Sequence, residues 1–368
     1  MRKSILSSGS RWIGGAALVA LILLTFGAAK GTYGQFPGVP QGHGSKAAGF
    51  PQPEEELYGI AAGGKMYVLG GYGGGAKPGP VGMNWQYDPA TDKWTKMKDM
   101  PLPVHHSALA EYHGKVYMFG GYILNTDPSR PGGGWEPVDN TWQFDPGTNT
   151  WKALAPMLGK RGSAVAEEVG GQIYVIGGAI PEPGSKEVAI RASTAARSVG
   201  TNEVYDPETN KWVTRSSMPT PRNHAFGGAV NGKIYVIGGR VGSSVITTSS
   251  NTNVVEVYDP AADLWGAAGM RMPTSRSGMG WATYQNKIYV VGGQIYDRNV
   301  FAAIRAVEGY DPATNTWAIL PTMFTARHGV NVAIIGNRLY AIGGHVQAAG
   351  TGGEAANTDS NEAYEFPN

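Results

Sequence analysis

The chain has 368 residues, including Gly 55, Pro 24, Trp 10 and Tyr 18, with only 16% charged residues, so its length points to two domains, a large barrel or a repeat array, and its aromatic content excludes a disordered chain. Because it contains no cysteine, disulfides, zinc–cysteine sites, iron–sulfur clusters and thiol nucleophiles are excluded. The net charge is +2, but 27 basic residues face 28 acidic ones once the N-terminal Arg2, Lys3 and Arg11 are set aside, which predicts neither nucleic acid nor an anionic membrane as a partner.

Residues 1–29 have the order of a secretory signal. The three basic residues named above precede an apolar run at residues 12–29 that ends in small side chains. At about 18 residues this run is long for a signal peptide and just long enough to span a bilayer. We therefore expect either export with cleavage near Ala29 or membrane anchoring by residues 12–29, and in both cases a periplasmic or extracellular protein. Residues 30–41, rich in Gly and Pro, predict a linker.

The rest of the chain repeats with a period of 50 to 61 residues. Each repeat ends an apolar run with a Gly-Gly pair, three residues after a tyrosine. These pairs begin at Gly70, Gly120, Gly177, Gly238, Gly292 and Gly343. Five repeats continue with an aromatic residue before Asp-Pro and then a tryptophan, which are Trp94, Trp151, Trp212, Trp265 and Trp317.

This pattern resembles the kelch repeat, in which each unit builds one blade of a β-propeller. The resemblance covers nearly all of the chain from about residue 51 onward. It implies an all-β, six-bladed kelch propeller at residues 42–368, with four strands in each blade. The apolar run before each Gly-Gly pair predicts a buried second strand. The run before that predicts the innermost strand, and the Asp-Pro and tryptophan segments predict the outer two.

Ring closure is predicted from the ends of the chain. The sixth unit stops after its third strand, whereas counting back one repeat from Met100-Pro101 reaches Phe50-Pro51. Residues 42–50 therefore stand in the register of a missing fourth strand, although Gly44 occupies the tryptophan position. We expect this segment to complete blade six and leave no open edge.

One face of such a ring carries the long loops between second and third strands, and we call it the loop face. The opposite face carries the short first-to-second turns, and we call it the turn face. Long loops on a rigid scaffold are common binding sites. The longest is Ala179 to Gly200, and it predicts either a lid or partner contact or an excursion without a role.

Several polar residues are expected to ring the mouth of the central channel on the loop face and to bind a small molecule or peptide. Alternatively, they are solvated strand ends without a function. These residues are His105, His106, Asn223, His224, Arg240, His328 and His345. We predict no metal site, because no histidine pair has helical spacing and no carboxylate recurs beside them. We also predict no cofactor.

Four arginines that precede innermost strands vary together with four glutamates. Repeats three to six carry Arg161, Arg222, Arg276 and Arg327 together with Glu203, Glu256, Glu308 and Glu362. Repeats one and two instead have Glu54 and Val104 in the arginine position and Trp85 and Trp142 in the glutamate position. We infer structural ion pairs, each replaced by an apolar tryptophan where the arginine is missing.

No catalytic motif is recognisable, and we predict no catalytic residues. Galactose oxidase is similar through its kelch propeller, but its copper chemistry needs a cysteine that this chain lacks. The favoured interpretation is an exported, non-catalytic module whose loop face binds a protein, peptide or glycan. The alternative is a carbohydrate isomerase at the channel, similar to the bacterial sialic acid mutarotases, which are periplasmic kelch propellers. A deep pocket holding a carboxylate beside a histidine would favour this alternative.

Overall fold

The computed structural model describes residues 44–73, 79–126, 129, 134–297, 300–348 and 356–366. The predicted signal or anchor at residues 1–29, the linker at residues 30–41 and the first two residues of the closing segment lie outside this part of the chain. Among the described residues there is no helix with the length and apolar character needed to cross a bilayer.

The described chain is all β and forms six four-stranded antiparallel blades in a ring, which confirms the predicted fold class. Counted outward from the axis, blade one consists of β2 (Glu55–Ala62), β3 (Lys65–Gly73), β5 (Asn84–Asp88) and β6 (Lys93–Lys96). Blade two consists of β7 (Ala108–Tyr112), β8 (Lys115–Phe119), β11 (Thr141–Asp145) and β12 (Thr150–Ala153). Blade three consists of β13 (Val165–Val169), β14 (Gln172–Ile176), β17 (Asn202–Asp206) and β18 (Lys211–Arg215). Blade four consists of β19 (Phe226–Val230), β20 (Lys233–Ile237), β23 (Val255–Asp259) and β24 (Leu264–Trp265). Blade five consists of β25 (Gly280–Tyr284), β26 (Lys287–Val291), β29 (Val307–Asp311) and β30 (Thr316–Leu320). Blade six consists of β31 (Asn331–Ile335), β32 (Arg338–Ile342), β33 (Asn361–Glu365) and β1 (Ser45–Lys46).

The loops of the loop face carry strands of their own. Strand β4 (Gly79–Pro80) extends β3, and four hairpins follow in blades two to five. The hairpins are β9 (Tyr122–Asn125) with β10 (Gly134–Pro137), β15 (Ala179–Pro181) with β16 (Ala196–Ser198), β21 (Arg240–Gly242) with β22 (Ser249–Asn251), and β27 (Gln294–Tyr296) with β28 (Phe301–Ala303). A 3₁₀ turn, Ile246–Thr248, lies within the third hairpin.

The repeated tryptophans join neighbouring blades. The indole N–H of Trp151 donates to the carbonyl of Lys98, 3.0 Å away, and that of Trp212 donates to the carbonyl of Ala155, 2.8 Å away. The Gly-Gly pairs are required by close approach at the same boundaries. Gly177 has φ +74°, and a Cβ there would lie 2.6 Å from the carbonyl oxygen of Arg222 in the next blade.

The ring closes as predicted. Strand β1 pairs antiparallel with β33, with Ser45 opposite Ala363. Gly44 thus faces Tyr364, whereas in blade one Tyr87 faces Trp94. A Cβ on Gly44 would lie 2.7 Å from the carbonyl oxygen of Ala363 and 3.1 Å from the ring of Tyr364, which explains why no tryptophan fits here.

Candidate functional site

The chain enters every inner strand through one residue with a positive φ. At equivalent positions in blades one to six these residues are Glu56, His106, Ser163, His224, Gly278 and Gly329, with φ between +48° and +64°. Glycine is the residue that adopts this conformation without steric cost, as it does in the last two blades. The glutamate and the two histidines are therefore held against their backbone preference, a feature that often marks functional positions.

Backbone hydrogen bonds connect these turns from blade to blade. The N–H of Ser163 donates to the carbonyl of His106 at 2.8 Å, and the N–H of His224 donates to that of Ser163 at 3.1 Å. Gly278 and Gly329 continue the series at 3.4 and 2.9 Å. All six turn residues line one central cavity of about 480 Å³. The left-handed conformation thus places one residue of each blade at the inner end of the channel.

Three of these side chains converge, namely Glu56, His106 and His224. One ligand atom from each lies within 4.8 Å of the others. The Nε2 of His106 is 3.2 Å from Oε2 of Glu56, and the two imidazole rings are 4.6 Å apart between centroids. On the other side of the carboxylate, Nε2 of His328 is 3.9 Å from Oε1.

Burial and mutual attraction determine the charges in this cluster. Burial by itself would raise the pKa of Glu56, but the adjacent His106, aided by His328 and His224, holds this pKa well below 4.5. Burial lowers the pKa of His224 well below 6.5, with Arg240 adding to the effect, and lowers that of His328 to about 4. At neutral pH the site therefore offers the carboxylate of Glu56 near the neutral imidazoles of His224 and His328.

A fixed hydrogen-bond network sets the tautomer of His224. The carbonyl oxygen of Ser243 can only accept a hydrogen bond, so the side-chain atom of Asn223 that lies 3.0 Å from it is the donor Nδ2. The Oδ1 of Asn223 consequently faces Nδ1 of His224 at 2.6 Å, so Nδ1 carries the proton. The lone pair of His224 is thereby left on Nε2.

The loop face of the channel is covered. Ser244, in the hairpin of blade four, crosses towards blade two, where its Oγ is 3.1 Å from the hydroxyl of Tyr122. Arg240 donates to the carbonyl of Ser244 at 2.6 Å, and Ile190 of the longest loop is buried and pairs with Trp135. We call this covering layer, formed by the hairpins of blades two to four, the cap.

The cap corrects the expected position of the polar residues. All seven are buried rather than solvated at an open mouth: His105, His106, Asn223, His224, Arg240, His328 and His345. His106 and His224 line the cavity. The other five are not among its lining residues. Asn223 and Arg240 pack beneath the cap, against the backbone of residues 243–244, and His328 pairs with His345 in blade six. The physical reason is that loops long enough to reach the axis shield the strand ends they were expected to leave open.

The cavity instead opens toward the turn face. Its lining changes from fully buried His106 to partly exposed Glu111, Glu168 and Ile334 near the short turns, and Thr283 there is exposed. On its wall, Trp281 donates its indole N–H to Oε1 of Glu167 at 3.3 Å. Burial raises the pKa of Glu167 to about 7, although this indole hydrogen bond opposes the rise. A carboxyl that titrates near neutral pH in a cavity can act as a general acid or base.

Each of the four arginines meets its glutamate. The closest N···O distances are 2.8 Å for Arg161–Glu203, 2.7 Å for Arg222–Glu256, 3.0 Å for Arg276–Glu308 and 2.8 Å for Arg327–Glu362. All four pairs lie within their own blades and are almost completely buried. This position separates them from the cavity and is consistent with a structural role.

Sequence reasoning missed Glu56 and Glu167, the two cavity carboxylates on which the candidate functions depend. Glu56 was overlooked because the repeat was aligned on Glu54, in the arginine position. The signal was nonetheless available, since Glu56 stands two residues later, as His106 and His224 do in their repeats. Glu167 lies in a strand read only as the innermost strand of its blade, and its pKa depends on packing that the sequence does not reveal.

Comparison with known proteins gives the family. The profile of the KLHDC2/KLHL20/DRC7 kelch-repeats domain matches residues 160–344, and the kelch motif matches residues 60–101 and 103–158. The chain belongs to the kelch-repeat family. The resemblance inferred from the Gly-Gly, tyrosine and tryptophan positions is thereby confirmed.

Curated kelch relatives cover most of this chain. Kelch-like protein terF of Aspergillus terreus is 27% identical over 310 residues, which are 82% of this chain and 63% of that protein. Alpha-scruin of Limulus polyphemus is 27% identical over 77% of this chain and 29% of its own length. Kelch-like protein 23 of Homo sapiens is 27% identical over 78% of this chain and 44% of its own. The chain thus spans less than two thirds of each of these relatives.

Proposed function

We propose that this kelch-repeat propeller is an exported, non-catalytic module that binds a protein partner through its loop face. Membership in the kelch-repeat family supports a protein-interaction role. The observation that carries the proposal is the continuous arc of hairpins on this face. Strand β4 contacts β9, Trp135 of β10 pairs with Ile190 in the loop of blade three, β16 contacts β21, and β22 contacts β27. Loops from five blades thus form one surface.

This surface is built for recognition in two respects. Its backbone is preorganised, because Ser198 donates to the carbonyl of Gly242 at 2.7 Å and Asn251 donates to that of Gln294 at 2.9 Å. It also presents apolar side chains to solvent, with Val188 58%, Val300 45% and Phe301 37% exposed. Apolar side chains on ordered loops serve as anchors in protein interfaces.

The experiment compares apolar positions of the loop face with matched positions elsewhere. Val188→Asp and Phe301→Asp alter the loop face, whereas Val213→Asp and Ile319→Asp alter equally exposed apolar residues on the outer strands β18 and β30. Partners are captured from extracytoplasmic extract, identified by cross-linking, purified and titrated against each variant. We expect the loop-face variants to weaken binding of the purified partner at least tenfold and the controls to leave it unchanged.

Two results would argue against this proposal. In one, the outer-strand variants weaken binding of the partner as strongly as the loop-face variants, which would show that the partner does not contact the loop face specifically. In the other, a glycan array yields a carbohydrate ligand and no protein partner is captured, which would identify the ligand of this module as a glycan and not a protein.

Export is part of the same proposal and rests on residues 1–29. The basic residues followed by an apolar run support a cleaved signal. Expression of the full chain, followed by intact mass measurement of the extracytoplasmic form, should give a product that begins near Lys30. A product that retains residues 1–29 in the membrane fraction would favour the anchored alternative.

The cavity favours a second candidate, a carbohydrate isomerase of the mutarotase type. It combines Glu167, whose pKa is raised to about 7, with the indole of Trp281, an aromatic surface suited to a sugar ring. Glu167 as carboxylate can accept the anomeric hydroxyl proton, while a second acid or water protonates the ring oxygen. The test follows mutarotation of reducing sugars, including sialic acid, by NMR. Glu167→Gln should lower any acceleration by about 10²–10⁴-fold, and the absence of acceleration by the unmodified protein would remove this candidate.

A further inference from the structure

The cluster of Glu56, His106 and His224 at the inner end of the cavity has no role in the proposed protein contact. Its side chains come from three different blades and reach the axis only because each occupies a left-handed turn. Ser163 and the two glycines at the equivalent positions leave the remaining circumference open. The result is one carboxylate and two imidazoles that face a common point.

The imidazole nitrogens that face this point make no hydrogen bond to the described residues. Within the described residues, Nε2 of His106 and Nε2 of His224 are buried without a hydrogen-bond partner. The 3.2 Å approach of His106 Nε2 to Glu56 is therefore a close contact without hydrogen-bond geometry. Buried polar atoms left without a partner are costly and call for an occupant.

The nitrogens behind these atoms are occupied. Nδ1 of His224 donates to Asn223, whose amide is itself fixed by Ser198 and Ser243, and Nδ1 of His106 shares a hydrogen bond with Nδ1 of His105. Metal-ligating histidines usually have their second nitrogen held in this way, which orients the ring and fixes the tautomer. The same arrangement leaves the lone pair of His224 on Nε2, and His106 presents a lone pair on Nε2 when its Nδ1 is the donor to His105.

We propose that Glu56, His106 and His224 bind a divalent first-row transition metal ion at the inner end of the central channel. Two imidazoles and one carboxylate suit ions such as Zn²⁺ and Fe²⁺, and bond lengths of about 2.0–2.2 Å need only small side-chain adjustments from the positions seen. Because the cavity lies on the open side of the cluster, a further coordination position faces the channel and is accessible to a small ligand. The sequence prediction of no metal site rested on the lack of helical spacing between histidines and of a carboxylate recurring beside them, whereas here the ligands come from three different blades and Glu56 supplies the carboxylate.

The experiment uses the full chain without an affinity tag, stripped of metal with a chelator. Zn²⁺ is titrated in competition with a chromophoric chelator, and Co²⁺ is followed by its visible absorption, which reports nitrogen and oxygen ligands directly. We expect one tightly bound equivalent of each ion. His106→Gly and His224→Gly should each lower Zn²⁺ affinity more than about 100-fold and change the Co²⁺ spectrum. Asn223→Ala, which frees the tautomer, should lower the affinity about 10–100-fold.

Glycine is chosen because it removes the ligand and is the residue that this chain already uses at Gly278 and Gly329. A folding defect is therefore not expected, and the unfolding temperature of each metal-free variant checks this point. His113→Gly is the matched control, since His113 also has a positive φ, +52°, but lies exposed in a turn. The proposal is overturned if the unmodified protein binds neither ion at micromolar concentration, or if His106→Gly and His224→Gly bind as tightly as His113→Gly.

Discussion

At the scale of single residues, the buried Arg327–Glu362 pair shows how the fold accommodates charge. Both side chains are 0% exposed, and their closest atoms are 2.8 Å apart. The guanidinium also donates to the carbonyls of Gly343 and Ser360, each at 2.9 Å. The arginine thus neutralises its glutamate and satisfies backbone carbonyls at the boundary of the blade, so the pair is part of the blade framework.

We predict that Glu362→Gln lowers the free energy of unfolding by about 3–5 kcal/mol, because it leaves the guanidinium buried without its counter-charge. The double variant Arg327→Val/Glu362→Trp copies Val104 and Trp142 of blade two. It should cost less than the sum of its two single changes, with a coupling energy of about 0.5–3 kcal/mol. Urea unfolding is measured for five proteins, namely the unmodified chain, Glu362→Gln, Arg327→Val, Glu362→Trp and the double variant. Additive effects, or a change below about 1 kcal/mol for Glu362→Gln, would show that the charges are not coupled.

A second residue-scale prediction concerns pH and Glu167. Its folded pKa of about 7 lies above the ordinary value of 4.5, so the folded protein holds this proton more tightly than the unfolded chain. The corresponding stability is fully present below pH 4.5 and is lost as the pH rises to about 7. Because the carboxyl partly faces water in the channel, we expect a loss of about 1–3 kcal/mol rather than the full value.

Glu167→Gln tests this assignment, since the amide cannot titrate. Above pH 7 the variant should exceed the unmodified protein in stability by about that loss, and near pH 4.5 the two should be equal. Unfolding midpoints in urea across pH 4–8 give the comparison. Parallel pH profiles for the two proteins would assign the titration to another group.

At the scale of elements, the closing strand is the part on which the ring depends most. The short β1 is supported by the residues that follow it. The N–H of Ala47 donates to the backbone carbonyl of Asn361 at 3.0 Å, and that of Phe50 donates to the backbone carbonyl of Asp359 at 2.7 Å. The ring of Phe50 is 2% exposed and lies 5.0 Å from that of Trp94. The segment therefore fills the core between blades six and one as well as pairing with β33.

We predict that a chain beginning at residue 51 unfolds roughly 6–20 °C below one beginning at residue 44. Loss of Phe50 alone removes about 3–5 kcal/mol of packing, and in a protein of this size each kcal/mol shifts the midpoint by about 2–4 °C. The open edge of β33 should also promote self-association, detectable by light scattering. Equal midpoints and a monomer in both cases would show that the ring does not need this strand.

The closing strand also shows what sequence can predict about an element. Its position followed from the distance between Phe50-Pro51 and Met100-Pro101, because a repeat fixes register. The missing tryptophan at Gly44 is explained by contacts of this one blade, where a Cβ would lie 2.7 Å from the carbonyl oxygen of Ala363 and 3.1 Å from the ring of Tyr364. Such contacts are specific to one blade, so a repeat average does not contain them.

At the scale of the whole molecule, the period predicted the number of blades and the order of strands, because each of the six repeats builds one blade with the same strand order. It did not predict which end of the channel is open. That depends on contacts made once, such as the one between Ser244 and Tyr122, which are 122 residues apart and belong to different blades. The candidate site was therefore predicted in part, with His106 and His224 placed near the axis but assigned to an open mouth.

Four hydrogen bonds between the left-handed turns join blades two to six into one cooperative unit. Each joins one blade to the next, as from Ser163 to His106 and from Gly329 to Gly278, so none can open without separating two blades. In an open repeat array, by contrast, units near an end can unfold by themselves.

We predict that the amides of these turns exchange with deuterium at one common rate, the slowest in the protein, and that only global unfolding exposes them. Exchange at the exposed turn-face residues Gly114 and Gly232 should be faster by several orders of magnitude. In the chain beginning at residue 51, protection should fall first at Gly329, beside the opened boundary. Different rates for the turns of separate blades in the intact ring would show that the blades open independently.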